Sequence, residues 1–321
     1  MGNRVAIIGH NDIVNLHITP RQCLEWIEES FKMKYDSILP PKNSIHPREG
    51  DFFNTMPCLL PERVGRFSMK EVHRINGQNP ALGSDILLYD STLGHLLAII
   101  DGDWITTMRT GATAALAART LKRKDVNDYS FIGLGNTARA TALCILEDNK
   151  DEPILFRLLK YKDQADLFKE RFKSYDNLNI EIVDDINDLV EQSNVLISCI
   201  TYAADLLCPN DDLFRPGTLL IPVHTRGFQN CDLFFDKVFG DDTGHVQGFK
   251  FFSQFKKYDE LSQVLLGNNP GRESDSERII SYNVGIGIHD AVYSSHIFDI
   301  ITEEGKAEYF TQDKETSKIW L

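Results

Sequence analysis

The sequence predicts an α/β protein built on a Rossmann-type doubly wound parallel sheet. Three observations predict it. After about residue 110, apolar strand-like runs alternate with helical runs, the pattern of βαβ units. The first of these units carries a glycine turn, Gly133-Leu134-Gly135-Asn136-Thr137-Ala138, between a strand and a helix start. The 321 residues, 42% of them apolar, suffice for a sizeable core in one large domain or two of ordinary size.

In chain order, the elements before residue 110 are mixed. The stretch "TPRQCLEWIEESFKMKY" (19–35) opens with the helix-start signal Thr19-Pro20 and spaces Leu24, Ile27 and Phe31 along one face. Strand-like runs follow, "RFSMKEVHRI", "SDILLYD" and "HLLAIID", separated by Gly, Pro, Asn and Asp turns. Next, "GATAALAARTL" reads as a small-residue helix. From there "DYSFIG" is a strand and "ARATALCILED" a helix; "PILFRLLKY" is a strand and "DQADLFKERFKSY" a helix; "NIEIV", "SNVLISCIT" and "GTLLIPVH" are strands. Such alternation lays the strands parallel, with helices on both faces. The tail "VGIGIHDAVYSSHIFDII" reads as a helix that returns to the first region.

Charge and cysteine usage bound the function. A net charge of −13 and no long Lys/Arg run speak against a nucleic-acid partner; "LKRKD" at 121–125 is a solvated helix end. The six cysteines are scattered, none in a C-x-x-C pair, and several lie in apolar runs such as "VLISCI". They read as buried thiols, not as a metal or redox site, and favour a reducing compartment. The apolar run of the N-terminus is too short for a signal peptide, and no run approaches a membrane span. The expectation is a cytoplasmic protein with no membrane and no metal.

In the glycine turn, Gly133 permits the tight bend, Gly135 lets backbone approach a pyrophosphate, and Ala138 keeps helix and strand close. The helix that starts at Asn136 and Thr137 offers unpaired N–H groups and a partial positive charge to the phosphate. The expected ligand is a nicotinamide dinucleotide, NAD(P). NAD sites place a carboxylate at the end of the second strand, NADP sites a cation. That strand ends "LLKYKDQ", and Lys160 and Lys162 tilt the reading slightly to NADP, the alternative being two solvent-facing lysines.

The segment "DWITTMRTGATAALAARTL" (103–121) places an arginine in a turn before a small-residue helix, where it can fix an anion. Together with "MP" at 56–57, "FSMK" at 67–70, "NPALG" at 79–83 and the glycine turn, it resembles the ornithine cyclodeaminase/mu-crystallin family, over about residues 41–290. The resemblance implies a Rossmann domain plus a second α+β domain, made from both chain ends, that binds substrate and builds a homodimer. The implied division is 1–112, 113–287 and a returning segment 288–321. It also implies a nicotinamide cofactor and an amino or imino acid substrate.

Matched position by position, the family's carboxylate-binding cations fall on Lys42, Lys70 and Arg109, with Lys70 and Arg109 as the catalytic pair. Three cations on one carboxylate would use charge-assisted hydrogen bonds. Lys42 keeps the charge of the family's arginine and loses its fork. Asn79, His224 and Arg226 complete the candidate substrate set. Arg109, Thr110 and Thr201 join Gly133, Gly135, Asn136, Thr137, Ala138, Lys160 and Lys162 on the cofactor side. Asp290 matches the family's acid at the start of the closing helix, with simple helix capping as the other reading.

Two departures bear on activity. Where cyclodeaminases carry a Glu two residues before Met-Pro, this chain has Asn54; where they carry an Asp after the fifth Rossmann strand, it has Arg226. A cation there repels a cationic side chain and cannot serve as a base near neutral pH. The expectation is an NAD(P)-dependent oxidoreductase acting at the Cα–N bond of an amino, imino or N-substituted amino acid. The alternatives are a cyclodeaminase-type ammonia-lyase and a non-catalytic mu-crystallin-like binding protein. Arg226, at a strand's carboxyl end, is expected to point into a pocket, where a buried guanidinium demands an anion. Either it reads a second acidic group on the substrate, helped by His224, or it pairs with Asp232, Asp236 or a loop acid and fixes the turn.

Overall fold

A computed structural model describes residues 3–312. Its first half runs β1 (Asn3–Ile8), α1 (His10–Val14), α2 (Pro20–Lys32), β2 (Asn43–Ile45), β3 (Phe52–Leu59), β4 (Arg66–Arg74), β5 (Leu82–Asp90), β6 (Leu96–Asp101), α3 (Asp103–Leu121), β7 (Asp128–Ile132) and α4 (Asn136–Asp148). There follow β8 (Ile154–Leu159), α5 (Gln164–Phe172), β9 (Leu178–Val183), α6 (Ile186–Gln192), β10 (Val195–Ser198), β11 (Leu219–Pro222), β12 (Lys237–Gly240), α7 (Thr243–Val246), β13 (Tyr258–Glu260), α8 (Leu261–Leu265), β14 (Ile279–Tyr282), α9 (Gly287–Glu303) and β15 (Glu308–Gln312).

The chain divides into two compact units. Among the described residues, one holds those up to Thr19, Met33–Thr106 and those from Ile286 to Gln312; the other holds Pro20–Lys32 and Thr107–Gly285. Helix α2, early in the chain, is thus part of the second unit, where it packs on α4 and α8. Of the segment 288–321, residues 313–321 lie outside the described residues. Among the described residues no helix is long and apolar enough to cross a membrane. No disulfide links any two of the six cysteines.

The first unit is a seven-stranded sheet in the order β15-β1-β6-β5-β4-β3-β2. Only β1 and β6 pair in parallel; the rest is antiparallel. Strand β4 shows the period of two that such a sheet requires: Ser68, Lys70 and Val72 are buried, and their neighbours are more exposed. Helix α9 covers that face, packing on β3, β4 and β5. Its entry is tight, since a Cβ on Gly287 would lie 3.2 Å from the Met56 carbonyl oxygen.

The second unit is an eight-stranded sheet in the order β13-β12-β14-β11-β10-β7-β8-β9, parallel at every pairing. Strands β7, β8 and β9 step one way and β10, β11 and β14 the other. The order therefore reverses between β7 and β10, the switch point at which such sheets bind ligands beyond their carboxyl ends. Strands β7, β10, β11 and β14 are almost wholly buried, as continuous apolar runs in a parallel sheet should be. The small residues of α3 serve contact with α4: a Cβ on Gly111 would lie 2.5 Å from Ala140 Cβ.

Several elements differ from the sequence reading, α3, α6 and β1 among them. Helix α3 begins at Asp103, not at Gly111, so Arg109 sits inside a helix and not in a preceding turn. Helix α6 intervenes between β9 and β10, nucleated by Asp185, whose carboxylate accepts from the N–H groups of Asn187 and Asp188. The N-terminal apolar run is strand β1, paired on both sides.

Candidate functional site

The glycine turn of the second unit has the shape of a phosphate cradle. Gly133 adopts φ +77°, and a Cβ there would lie 2.9 Å from the Ile200 backbone nitrogen; only glycine fits between β7 and the loop after β10. Gly135 is the opposite case: no atom lies within 4 Å of where its Cβ would stand. Gly135 is also the N-cap of α4, and no side chain caps this helix. Its first N–H groups are thus open to an anion along the helix axis. Ala138 is fully buried, keeping α4 close to the sheet. Asn136 and Thr137 form the first turn, and Thr137 also receives the Thr141 hydroxyl on its carbonyl.

At the end of the second Rossmann strand the two lysines part company. Lys160 is exposed and paired with Asp184 at 3.0 Å, a hydrogen bond that holds its ammonium above the usual lysine range. Lys162 has φ +51° and its Nζ lies 5.1 Å from the Tyr161 ring centroid.

Two further loops rise at the same carboxyl edge. Ser198 ends β10 in register with Pro222 of β11, and its Oγ lies 2.6 Å from His224 Nε2. Burial pulls the His224 imidazole below its ordinary range, offset in part by the Arg226 backbone, so the ring is neutral at pH 7. Arg226 itself is exposed, contrary to the expectation of a buried guanidinium. It does not pair with the local acids: Asp232 is buried and accepts the Tyr282 hydroxyl at 2.7 Å, and Asp236 takes the Arg278 backbone and Lys256. Thr201 lies exposed in the loop after β10.

Arg109, by contrast, is 6% exposed. Its guanidinium lies against Gly285, which has φ +84°; a Cβ there would stand 2.1 Å from Arg109 Nη1. The Gly285 N–H donates to Asp241 Oδ2 at 2.6 Å, and the Thr113 hydroxyl closes on the Arg109 carbonyl one turn on. Asp241 and Gly285 thus shape the bed of the arginine. The sequence offered a signal for both, an acid after β12 and a glycine before α9. Ser198 offered none, since it reads as core strand. Thr110 is half-buried on α3.

In the first unit the arrangement turns on Lys70. Its Nζ donates to Asp290 Oδ1 at 2.7 Å, and both side chains are wholly buried. Asp290 is therefore not a cap: α9 has no side-chain cap, and the carboxylate is spent on the lysine from the next strand layer. Strand alternation aims Lys70 at α9, and the first turn of α9 aims Asp290 back. Nearby, burial, reinforced by the Asp290 charge, pushes the Cys58 thiol up to about 12, so it stays protonated. Lys42 is half-buried just before β2, and Asn79 is exposed. Asn54, on β3, accepts from the Ser44 hydroxyl. Among the described residues no group of three or more His, Cys, Asp or Glu stands close enough to hold a metal ion.

Comparison with known proteins agrees with this architecture. The model of the ornithine cyclodeaminase/mu-crystallin family matches residues 5–305. The chain is 24% identical over 281 residues to the nodulation efficiency protein NfeD of Rhizobium meliloti, covering 83% of this chain and 85% of that one. It is 24% identical over 233 residues to a Delta(1)-pyrroline-2-carboxylate reductase of Bacillus cereus (68% and 71%). It is 25% identical over 221 residues to the N-((2S)-2-amino-2-carboxyethyl)-L-glutamate dehydrogenase of Staphylococcus aureus (64% of each). Among solved structures, the Thermococcus litoralis Delta(1)-pyrroline-2-carboxylate reductase in complex with NADH and L-proline superposes with a TM-score of 0.83 at 23% identity, over 95% of this chain and 99% of that one. An archaeal alanine dehydrogenase dimer with bound NAD gives 0.83 at 19%, over 96% and 99%.

Proposed function

The chain belongs to the ornithine cyclodeaminase/mu-crystallin family, and from that premise we propose that it is a nicotinamide-dependent oxidoreductase acting at the Cα–N bond of an amino, imino or N-substituted amino acid. The observation that carries the reading is the open glycine cradle at the switch point of a wholly parallel sheet, with Gly133 hemmed in by backbone and Gly135 facing empty space. That is the form a pyrophosphate site takes. When bound, the nicotinamide would supply or accept the hydride at Cα; the protein's part is binding, orientation and proton handling.

Arg109 brings a planar fork suited to a carboxylate, and its bed of Gly285 and Asp241 limits its freedom, so little is lost when it binds. Lys70, held by Asp290, is the second candidate cation for an anionic or nitrogen-bearing group of the substrate. Lys42 and Asn79 remain the further candidate contacts to the substrate that the family match gives. The curated relatives support the class: their names are those of an imino acid reductase and of a dehydrogenase of an N-carboxyalkyl amino acid. Asn54 and Arg226, standing where cyclodeaminases need acids, speak against ammonia-lyase chemistry. A homodimer is the proposed assembly, in keeping with the dimeric alanine dehydrogenase.

The cofactor is a nicotinamide dinucleotide, and the slight preference for NADP now rests on Lys162, because Lys160 already holds Asp184. Replacing both lysines with alanine should weaken NADPH by on the order of 1–3 kcal/mol and leave NADH nearly unchanged. Equal loss for both, or tight NADH with no NADPH binding in the parent, reverses the preference.

The class itself is tested by following NAD(P)H absorbance with a panel of amino acids, cyclic imino acids and N-carboxyalkyl amino acids. Sustained cofactor turnover with a member of the panel supports the proposal. Ammonia release without net cofactor change would make the protein a cyclodeaminase, and tight ligand binding with neither would make it a binding protein.

A further inference from the structure

We propose that Arg226 selects substrates carrying a second acidic group: a dicarboxylic amino or imino acid, or an amino acid with a carboxyalkyl arm on nitrogen. This deepens the oxidoreductase reading and rests on it for the place of the reaction. The argument is one of position, rigidity and charge.

Residues 224–227 follow β11 directly, at the carboxyl edge of the parallel sheet, where α/β sheets bind ligands. Strand β11 neighbours β10, and β10 neighbours β7, from which the glycine cradle springs. The turn is tied down on several sides. His224 Nε2 meets Ser198 Oγ at 2.6 Å, the Gly227 carbonyl accepts from Leu207 N at 2.8 Å, and Gly227 N donates to Gln229 Oε1 at 2.7 Å. Asn230 Nδ2 adds bonds to the Cys208 carbonyl and to Asp211. Gly227, at φ +112°, could not carry a side chain without strain, and its Cβ would press on Leu207 Cδ1 at 3.0 Å.

On this fixed turn Arg226 stands exposed. The acids that would neutralise it are engaged elsewhere: Asp232 with Tyr282, Asp236 with Lys256 and the Arg278 backbone. Of the acids in the adjoining loop, Asp205 and Asp212 are exposed, and Asp211 accepts from Asn230 Nδ2. Being solvated, the guanidinium costs little in the free protein, and an arriving carboxylate finds a planar, two-pronged donor with no internal competitor. A molecule of net charge −13 repels a doubly anionic ligand from most of its surface, so a built-in cation at the edge decides whether such a ligand is admitted. His224, neutral and already bonded through Nε2, adds polarity but no second charge.

The test pairs acidic substrates with their neutral counterparts: aspartate with asparagine, glutamate with glutamine, and an N-carboxyalkyl amino acid with its N-alkyl analogue. The parent, Arg226→Gln and Arg226→Lys are assayed as intact proteins with cofactor present. The expectation is that Arg226→Gln lowers kcat/KM for acidic members about 10- to 100-fold while neutral members change by less than about twofold, with Arg226→Lys between. Affinity for NADH should not change. In parallel, the thermal shift given by aspartate and by asparagine is measured in the presence of NAD. Aspartate should stabilise the parent more, and Arg226→Gln should erase the difference. This second readout needs no turnover, so failure of the oxidoreductase reading appears as charge-selective binding without cofactor change. A parent that prefers neutral or cationic ligands overturns the proposal. Equal losses for acidic and neutral members, or a loss of NADH affinity, overturn it too.

Discussion

The fully buried Lys70–Asp290 pair makes the sharpest quantitative demand. Two charges at 2.7 Å with no exposed surface have lost their water, and the ion pair compensates part of that loss for each. Removing one partner strips the other buried charge of this ion pair, which costs about 3–5 kcal/mol. Asp290→Leu and Lys70→Met should each lose that much. With a urea slope of about 3 kcal/mol/M, the midpoint should fall by roughly 1–1.7 M. Removing both charges together should cost less than either single change, because the desolvation penalty disappears with them. The coupling energy from the double-mutant cycle is therefore several kcal/mol, well above the ~0.5 kcal/mol scatter of independent sites. Urea titration followed by circular dichroism is the assay. With two compact units the curve can show two transitions, and the effect belongs to the one in which the first unit unfolds. Additive single and double variants, or a single variant that loses under about 1 kcal/mol, would refute the ion pair as the element that joins β4 to α9.

Three other outcomes follow from the geometry. Gly135→Val should reduce nucleotide affinity about 100-fold or more in a fluorescence titration, yet cost only about 1 kcal/mol of stability, the loss of a favoured N-cap residue, since nothing lies within 4 Å of the new Cβ; unchanged affinity would dismiss the cradle. Gly285→Ala puts a methyl at 2.1 Å from Arg109 Nη1 on a residue at φ +84°, so it should cost about 1–2 kcal/mol and lower kcat/KM at least about tenfold, and parent-like kinetics would remove Arg109 from the substrate. Burial raises the Asp232 carboxyl from 3.8 to about 6, against the lowering effect of the Tyr282 hydroxyl. The folded state therefore prefers the protonated acid, and the parent loses stability as pH rises from about 4 to 6. Asp232→Asn, which cannot ionise, should gain over the parent across that window, reaching on the order of 2–3 kcal/mol above pH 6; a difference that stays flat with pH contradicts this.

The strands and helices of the second unit were legible because their signals are local. A buried parallel strand is a short apolar run, and a glycine turn before a helix declares its own backbone. The family was legible for the same reason, since its motifs are contiguous. Arg109 was found as a residue but misplaced as a turn residue: "DWITTM" has weak helical character alone, and α3 extends back over it to Asp103. Asp185 and its short helix α6 were missed because about two turns of helix give too brief a period to read.

The sequence by itself determined the fold class and the backbone of the glycine turn, and it named the candidate cations, because each depends on neighbours in the chain. It could not decide whom those cations meet. Lys70 and Asp290 are 220 positions apart, and either reading of Asp290, cap or partner, suits a residue in the first turn of a helix. Strand pleat and helix packing aim the two at each other, and only that contact turns two ordinary charged residues into a buried pair. Arg226 went the other way: its sequence neighbours hold acids in reach, but Tyr282 and Lys256 claim them first, and the turn leaves the guanidinium to solvent. Pairing between distant side chains is settled by which faces the tertiary fold brings together, and no local signal carries that information.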